Sequence, residues 1–414
     1  MRLVVRHARV LTMGEGSVPR RGAELGVLGV IGDADVVVEG ERVVEVCGGG
    51  RAKMEGARVI EARGRVLMPG FVDAHTHACW AGDRLDEWER KRRGATYLEI
   101  LKSGGGIMST VRAVRGATQE ELERGLRARL GVMLREGTTT VEVKSGYGLS
   151  TEAELKMLRA IRGAGEGREG EAWASVVATA LLGHALDPEQ AGFVERTIEE
   201  TLPAVHGEFA GVAVDAYCEE GAWSFEDCRT LFERAAGLGH PIRVHADQFN
   251  RLGMVEWAAQ QGARSVDHLE ATTPDGLAAL ARTVTYGVAL PISGFHTDGR
   301  YAAMRVFVDA GGALVIATNC NPGSAPSSSM PLAIALAVRM GGLSPAEAIS
   351  ACTVNAAALL GFDDRGVIAP GKRADLVLLR HTDERMLAYE VGGDPVDMVV
   401  CGGVIVGSGS RDIC

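Results

Sequence analysis

The sequence predicts an α/β protein, with a parallel barrel in the middle of the chain and a small β-rich domain assembled from both ends. Between about 69 and 365, apolar β-like runs alternate with amphipathic helical stretches. Both flanks, in contrast, are Val-rich, punctuated by glycine and free of helical periodicity. The length adds a second argument. A bare (β/α)₈ barrel needs about 250 residues, so a chain of 414 leaves a large surplus.

In chain order, the runs 3–11, 36–46 and 58–66 read as strands, broken by Glu39-Gly40-Glu41-Arg42 and Gly48-Gly49-Gly50. The last segments, 375–379 and 398–406, have the same texture. Flanks 1–67 and 366–414 therefore form one discontinuous β domain, and 68–365 form the barrel with a long insertion after its first strand. Within the barrel region, the strand-like 138–143 precedes a helix from 151 to 161, with Leu155, Leu158 and Ile161 on one face. The same pairing recurs for 212–216 with 225–238, 242–245 with 253–261, 264–268 with 274–281, and 313–318 with 330–340. Such units build a parallel sheet, either doubly wound or closed. No strand is followed by the G-x-G-x-x-G of a dinucleotide-binding half, and the number of units favours a barrel.

Composition narrows the function. The hydrophobic share of 46% supplies a large core, and a net charge of −10 argues against a nucleic-acid binder or a protein of anionic membranes. No apolar run approaches the ~18 residues of a membrane span. The eight cysteines contain no C-x-x-C pair, which disfavours a zinc ribbon or a disulfide scaffold and suggests a reducing cytoplasm.

Chemistry concentrates at the ends of the apolar runs. Pro69-Gly70-Phe71-Val72-Asp73-Ala74-His75-Thr76-His77 closes a strand with His-x-His, and residues two apart on a strand project to the same side. His245, His268 and His184 close three further runs. Any one of them alone is as readily a hydrogen-bonded structural histidine. Imidazoles converging on one barrel mouth make a divalent metal site the leading reading. The last run ends Thr318-Asn319-Cys320-Asn321-Pro322-Gly323-Ser324, where a carboxylate is expected. Asn319 offers a neutral amide oxygen and cannot act as a base.

These residues resemble the amidohydrolase superfamily, and within it the imidazolonepropionase family. The resemblance spans nearly the whole chain and rests on 69–77, Gly104-Gly105-Gly106-Ile107-Met108-Ser109-Thr110-Val111, 139–149 with its Lys144-Ser145-Gly146-Tyr147-Gly148, and Tyr217-Cys218-Glu219-Glu220-Gly221. It continues through His245-Ala246-Asp247-Gln248, Asp267-His268-Leu269-Glu270 and Asn321-Pro322-Gly323-Ser324. It implies a TIM barrel carrying a β-sandwich, one zinc or iron ion, a homodimer, and hydrolysis of 4-imidazolone-5-propanoate to N-formimidoyl-L-glutamate. His75, His77 and His245 would be metal ligands, with Asn319 where the family has Asp. Arg84 would grip the carboxylate of a small anionic heterocycle, for which a planar guanidinium is suited. Tyr147, His184 and Gln248 would line the ring site, and Asn321, Gly323 and Ser324 would contact substrate or product. His268, Gln248 and Asn319 are the candidates for the catalytic step.

Two other readings remain open at this level. One is another cyclic-amide hydrolase or a heterocycle deaminase on the same scaffold. The other is a slow or non-catalytic ligand-binding homologue, whose sole warrant is Asn319. Tyr147, set between two glycines, reads as a mobile loop tip or, as such a residue more often is, as ordinary loop packing, and Glu142 with Lys144 reads as a structural ion pair. Glu219 and Glu220 read as supporting groups.

Overall fold

The computed structural model describes residues 2–94, 105–167 and 171–406; Gly104 of the glycine-rich motif and the last residues of the C-terminal flank lie outside them. The N-terminal flank supplies β1 (Arg2–Leu11), β2 (Val30–Glu39), β3 (Arg42–Gly48), β4 (Arg58–Glu61) and β5 (Val66–Pro69). The middle supplies β6 (Phe71–Asp73), β7 (Thr138–Lys144), β8 (Ser175–Gly183), β9 (Ala213–Cys218), β10 (Ile242–Ala246), β11 (Ser265–His268), β12 (Tyr286–Ala289) and β13 (Leu314–Ile316). The C-terminal flank adds β14 (Leu376–Leu379), β15 (Val396–Cys401) and β16 (Val404–Ile405).

The two flanks share one sheet, in the order β16-β15-β14-β5-β1-β2-β3, with β4 paired to β1. β5 is the seam, parallel to β1 and antiparallel to β14, with Met68 opposite Val377. Alternation sorts its side chains. Leu3, Val5, Val36, Val38, Leu67, Leu376 and Leu378 form one core, while the neighbouring Val4 and Val37 pack on the other face with Ala52. The run 58–66 is divided into β4 and β5 because Arg63 and Gly64 both take positive φ.

The middle strands form a TIM barrel, ordered β6 to β13 in sequence, with every neighbouring pair parallel. Its two edges meet at the C-terminal mouth. The Asn319 N–H donates to the His75 carbonyl at 3.0 Å, and the His77 N–H donates to the Cys320 carbonyl at 3.0 Å. The run 313–318 yields only the short β13, because the chain leaves the strand toward Asn319 at φ 57.

Helices follow the expected alternation, and polar caps set their starts. Ser150 accepts from the Ala153 N–H ahead of the helix Thr151–Gly165, and Ser224 from the Asp227 N–H ahead of Phe225–Gly237. The insertion after β6 holds the helices Leu85–Arg92, Ile107–Gly116 and Gln119–Arg135. The last begins with a full capping box between Thr118 and Glu121, and buries Leu122, Leu126, Leu130 and Met133 along one stripe. Among the described residues no helix is long and apolar enough to cross a membrane.

Candidate metal centre

His75 and His77 follow β6 and His245 lies in β10, so parallel strands bring all three to the same end of the barrel. All are buried, and their ligand nitrogens lie within 4.8 Å of one another. His77 Nε2 and His245 Nε2 are 3.3 Å apart. That matches the edge, about 3.3 Å, of a tetrahedron with metal–nitrogen bonds of about 2.0–2.1 Å. Among the described residues His75 Nε2 is buried with no hydrogen-bond partner, and so is the amide Oδ1 of Asn319. Buried polar atoms are normally paired. These unpaired nitrogen and oxygen donors fit a divalent ion.

Carboxylates hold two of the rings from behind. His75 Nδ1 donates to Asp267 at 2.5 Å and His245 Nδ1 donates to Asp215 at 3.0 Å, which leaves each Nε2 without its proton and free for a metal. His77 instead stacks on His184, with centroids 4.9 Å apart and 22° between the planes. Burial drives the pKa of His75, His77 and His245 below the ordinary histidine value, so the rings are neutral and the Nδ1 contacts are hydrogen bonds rather than ion pairs. Burial alone would raise Asp215, but His245 and Lys144 outweigh it and hold its carboxyl well below the usual range.

The same carboxylates rest on a buried ionic layer. Lys144 Nζ lies 2.8 Å from Glu142 and 2.9 Å from Asp215, so the expected Glu142–Lys144 pair is part of a larger network. Arg243 reaches Glu142 at 3.2 Å and Asp267 at 2.8 Å. Charges this deep are costly unless every one is partnered, and their mutual geometry fixes the two imidazoles above them.

Beside the histidines lies a cluster of rings. The Tyr147 ring is 5.0 Å from His184 and 6.1 Å from His77. Tyr147 is buried, in keeping with ordinary loop packing, and the Glu154 carboxylate holds its loop by accepting the N–H groups of Gly146, Gly148 and Leu149 at 2.9, 2.7 and 2.9 Å. The His184 Nδ1–H donates to the Gly146 carbonyl at 2.9 Å, and burial pushes its pKa down to about 3. His268 closes β11 at φ 90, with Nδ1 3.2 Å from Glu270 and its ring 5.5 Å from that of His245. Tyr217 donates its hydroxyl to Gln248 Oε1 at 2.8 Å, which leaves the Gln248 amide N–H groups for another acceptor. Glu219 steadies the loop after Gln248 by accepting from the N–H groups of Phe249 and Asn250 at 2.8 and 3.2 Å.

Asn321 shapes a turn. Its Oδ1 accepts from the N–H groups of Gly323 and Ser324 at 2.8 and 2.7 Å, while Nδ2 donates to the Asn319 carbonyl at 2.6 Å. Arg84 approaches this turn: a Cβ at Gly323 would lie 3.2 Å from its Nη1. The other edge of the Arg84 fork is held by Glu87, with Nε and Nη2 each 2.6 Å from a carboxylate oxygen. The sequence reading missed Asp215, Asp267, Glu87 and Glu154. The available signal was an acidic residue inside an otherwise apolar strand, at 215 and 267.

Known proteins agree with this architecture. The model of the amidohydrolase family matches residues 66–406. An imidazolonepropionase of Deinococcus radiodurans is 45% identical over 93% of this chain and 95% of its own. One of Rubrobacter xylanophilus is 41% identical over 98% and 99%. Among solved structures, a triazine hydrolase variant superposes with a TM-score of 0.72 at 17% identity, covering 98% of this chain and 94% of its own. An N-isopropylammelide isopropylaminohydrolase of Burkholderia multivorans gives a TM-score of 0.70 at 19% identity, covering 98% of each. At these identities, the structural matches speak to the fold alone. Family model and near full-length relatives together place the chain in the amidohydrolase family and, within it, among the imidazolonepropionases.

Proposed function

We propose that this chain hydrolyses the ring amide of 4-imidazolone-5-propanoate to N-formimidoyl-L-glutamate, with one zinc or iron ion. The observation that carries the reading is the cluster of His75, His77 and His245 beside the paired rings of Tyr147 and His184, in a chain 45% identical to an imidazolonepropionase. Residues 68–365 would be the catalytic barrel and 1–67 with 366–414 a composite β domain. The protein would work as a cytoplasmic homodimer.

Held by His75, His77 and His245, with Asn319 as a neutral fourth donor, the ion would supply Lewis acidity to a carbonyl and a water. The chain's own groups account for the rest. Arg84 binds the propanoate tail, and Tyr147 and His184 pack against the ring. Gln248, oriented by Tyr217, donates an amide hydrogen bond to the ring. His268, backed by Glu270, hydrogen-bonds the carbonyl oxygen or the attacking water and receives the proton that Asn319 cannot accept. Water oxygen bonds to the carbonyl carbon, the ring C–N bond breaks, and the proton passes to the departing nitrogen. Asn321, Gly323 and Ser324 line the turn against which substrate or product rests.

Incubating the purified, metal-loaded protein with imidazolone propanoate tests this directly. Loss of the imidazolone chromophore with matching formation of formimidoylglutamate is expected. A protein that leaves this compound intact but deaminates neutral purines or pyrimidines contradicts the reading.

A further inference from the structure

Arg84 lies within the insertion after β6, away from the strand ends that carry the histidines. It stands before the helix Leu85–Arg92, with φ −128° and ψ 25° and no capping hydrogen bond from its side chain. An arginine placed so would sample many rotamers, and ordering it on binding would cost affinity. The structure removes that freedom with a single carboxylate. Glu87 is only 9% exposed and takes the Nε/Nη2 edge of Arg84 in two bonds of 2.6 Å. The same carboxylate accepts the Gly106 N–H at 2.9 Å and meets Lys91 at 3.2 Å. One acidic group thus joins Arg84 to the glycine turn that opens the helix Ile107–Gly116. Among the described residues nothing else takes the opposite edge of the guanidinium, and Nη1 faces Gly323, where the lack of a side chain leaves room.

We propose that Glu87 is a positioning residue: it pins the inner edge of Arg84 so that the outer edge is pre-aimed at the carboxylate of the substrate tail, and thereby sets the preference for anionic over neutral tails. This rests on the proposed function in assigning the tail to Arg84. Fork-to-fork geometry is specific to a carboxylate on the inner edge, because an amide at Glu87 would replace one acceptor by a donor facing Nη2.

The test compares wild type, Glu87→Gln and Arg84→Met, all metal-loaded. Calorimetry measures binding of 3-(imidazol-4-yl)propanoate and of its primary amide, and turnover of imidazolone propanoate is followed in parallel. Glu87→Gln is expected to weaken binding of the propanoate roughly tenfold, the scale of one immobilised long side chain, and to leave amide binding within about twofold. In turnover the same change falls on KM and not on kcat. Arg84→Met abolishes the preference altogether. The ¹⁵N–¹H signal of Arg84 Nε, protected from exchange in wild type, is lost in Glu87→Gln. An undiminished preference in Glu87→Gln, or equal weakening of both ligands, overturns the proposal. If Arg84→Met also binds the propanoate normally, Arg84 does not read the tail and the inference falls. If wild type binds both ligands with the expected preference but does not turn over the substrate, the functional reading fails while the role of Glu87 stands.

Discussion

At the scale of single residues, Asn319 stands where the related family carries an Asp, and its replacement tests the proposed chemistry. It adopts φ 57, a conformation that Asn and Asp tolerate better than other side-chain-bearing residues, so Asn319→Asp should fit without backbone strain. The substitution adds a carboxylate where the buried Oδ1 now lacks a partner. General-base assistance is typically worth about 10² to 10⁴ in rate, and a gain in kcat of about 10² is expected for Asn319→Asp. Steady-state kinetics on imidazolone propanoate check this. An unchanged kcat would mean that His268 already supplies all the base the reaction uses. The clustered histidines His75, His77 and His245 were legible because imidazoles at the ends of apolar runs are conspicuous. Their partners were harder to see. Asp267 and His268 are adjacent, and strand alternation would send them to opposite faces. The positive φ at His268 and Leu269 breaks that alternation and lets both serve the site. Periodicity carries no sign of such a break.

At the scale of elements, the β-α repeats followed from their apolar spacing, and the helix Pro274–Ala281 has the bounds the pattern gives. The insertion after β6 was legible only as an insertion. Its longest helix, Gln119–Arg135, announces itself through the Thr118–Glu121 capping box, whose two halves are both made. Removing the hydroxyl should expose an unsatisfied N–H at the helix start. Thr118→Ala is expected to cost about 1 kcal/mol in denaturant unfolding, with activity unaltered. A loss below measurement would show that packing of the leucine stripe alone defines that end. The Tyr147 loop shows the opposite limit. Its glycines suggest mobility, but Glu154, eight residues beyond Gly146, collects three backbone N–H groups and fixes it. A side chain reaching back over that loop is tertiary information.

At the scale of the whole molecule, the flanks meet through β5, and the barrel gathers three buried neutral histidines, His75, His77 and His245, at one mouth beside the half-buried His184. His184 gives this arrangement a pH signature. Its pKa falls from 6.5 to about 3 on folding, so the folded state resists a proton that the unfolded chain accepts. The stability associated with neutral His184 is complete above pH 6.5 and declines as pH falls from 6.5 toward 3. The slope is at most about 1.4 kcal/mol per pH unit. His184→Asn retains a donor for the Gly146 carbonyl and lacks this titration. In chelator-treated protein, wild type should lose stability relative to His184→Asn over that window and run parallel to it above pH 7. Parallel curves throughout would show that His184 is not held neutral.

On the proposed function, a metal bound by His75, His77 and His245 makes this chain an imidazolone propanoate hydrolase. The most direct test is turnover of that compound by one preparation before chelation, after chelation, and after readdition of zinc or ferrous iron. Chelation should lower the rate by at least about 10², and one equivalent of metal per chain should restore it. Undiminished turnover by the metal-free protein, or none in any state, would contradict the account.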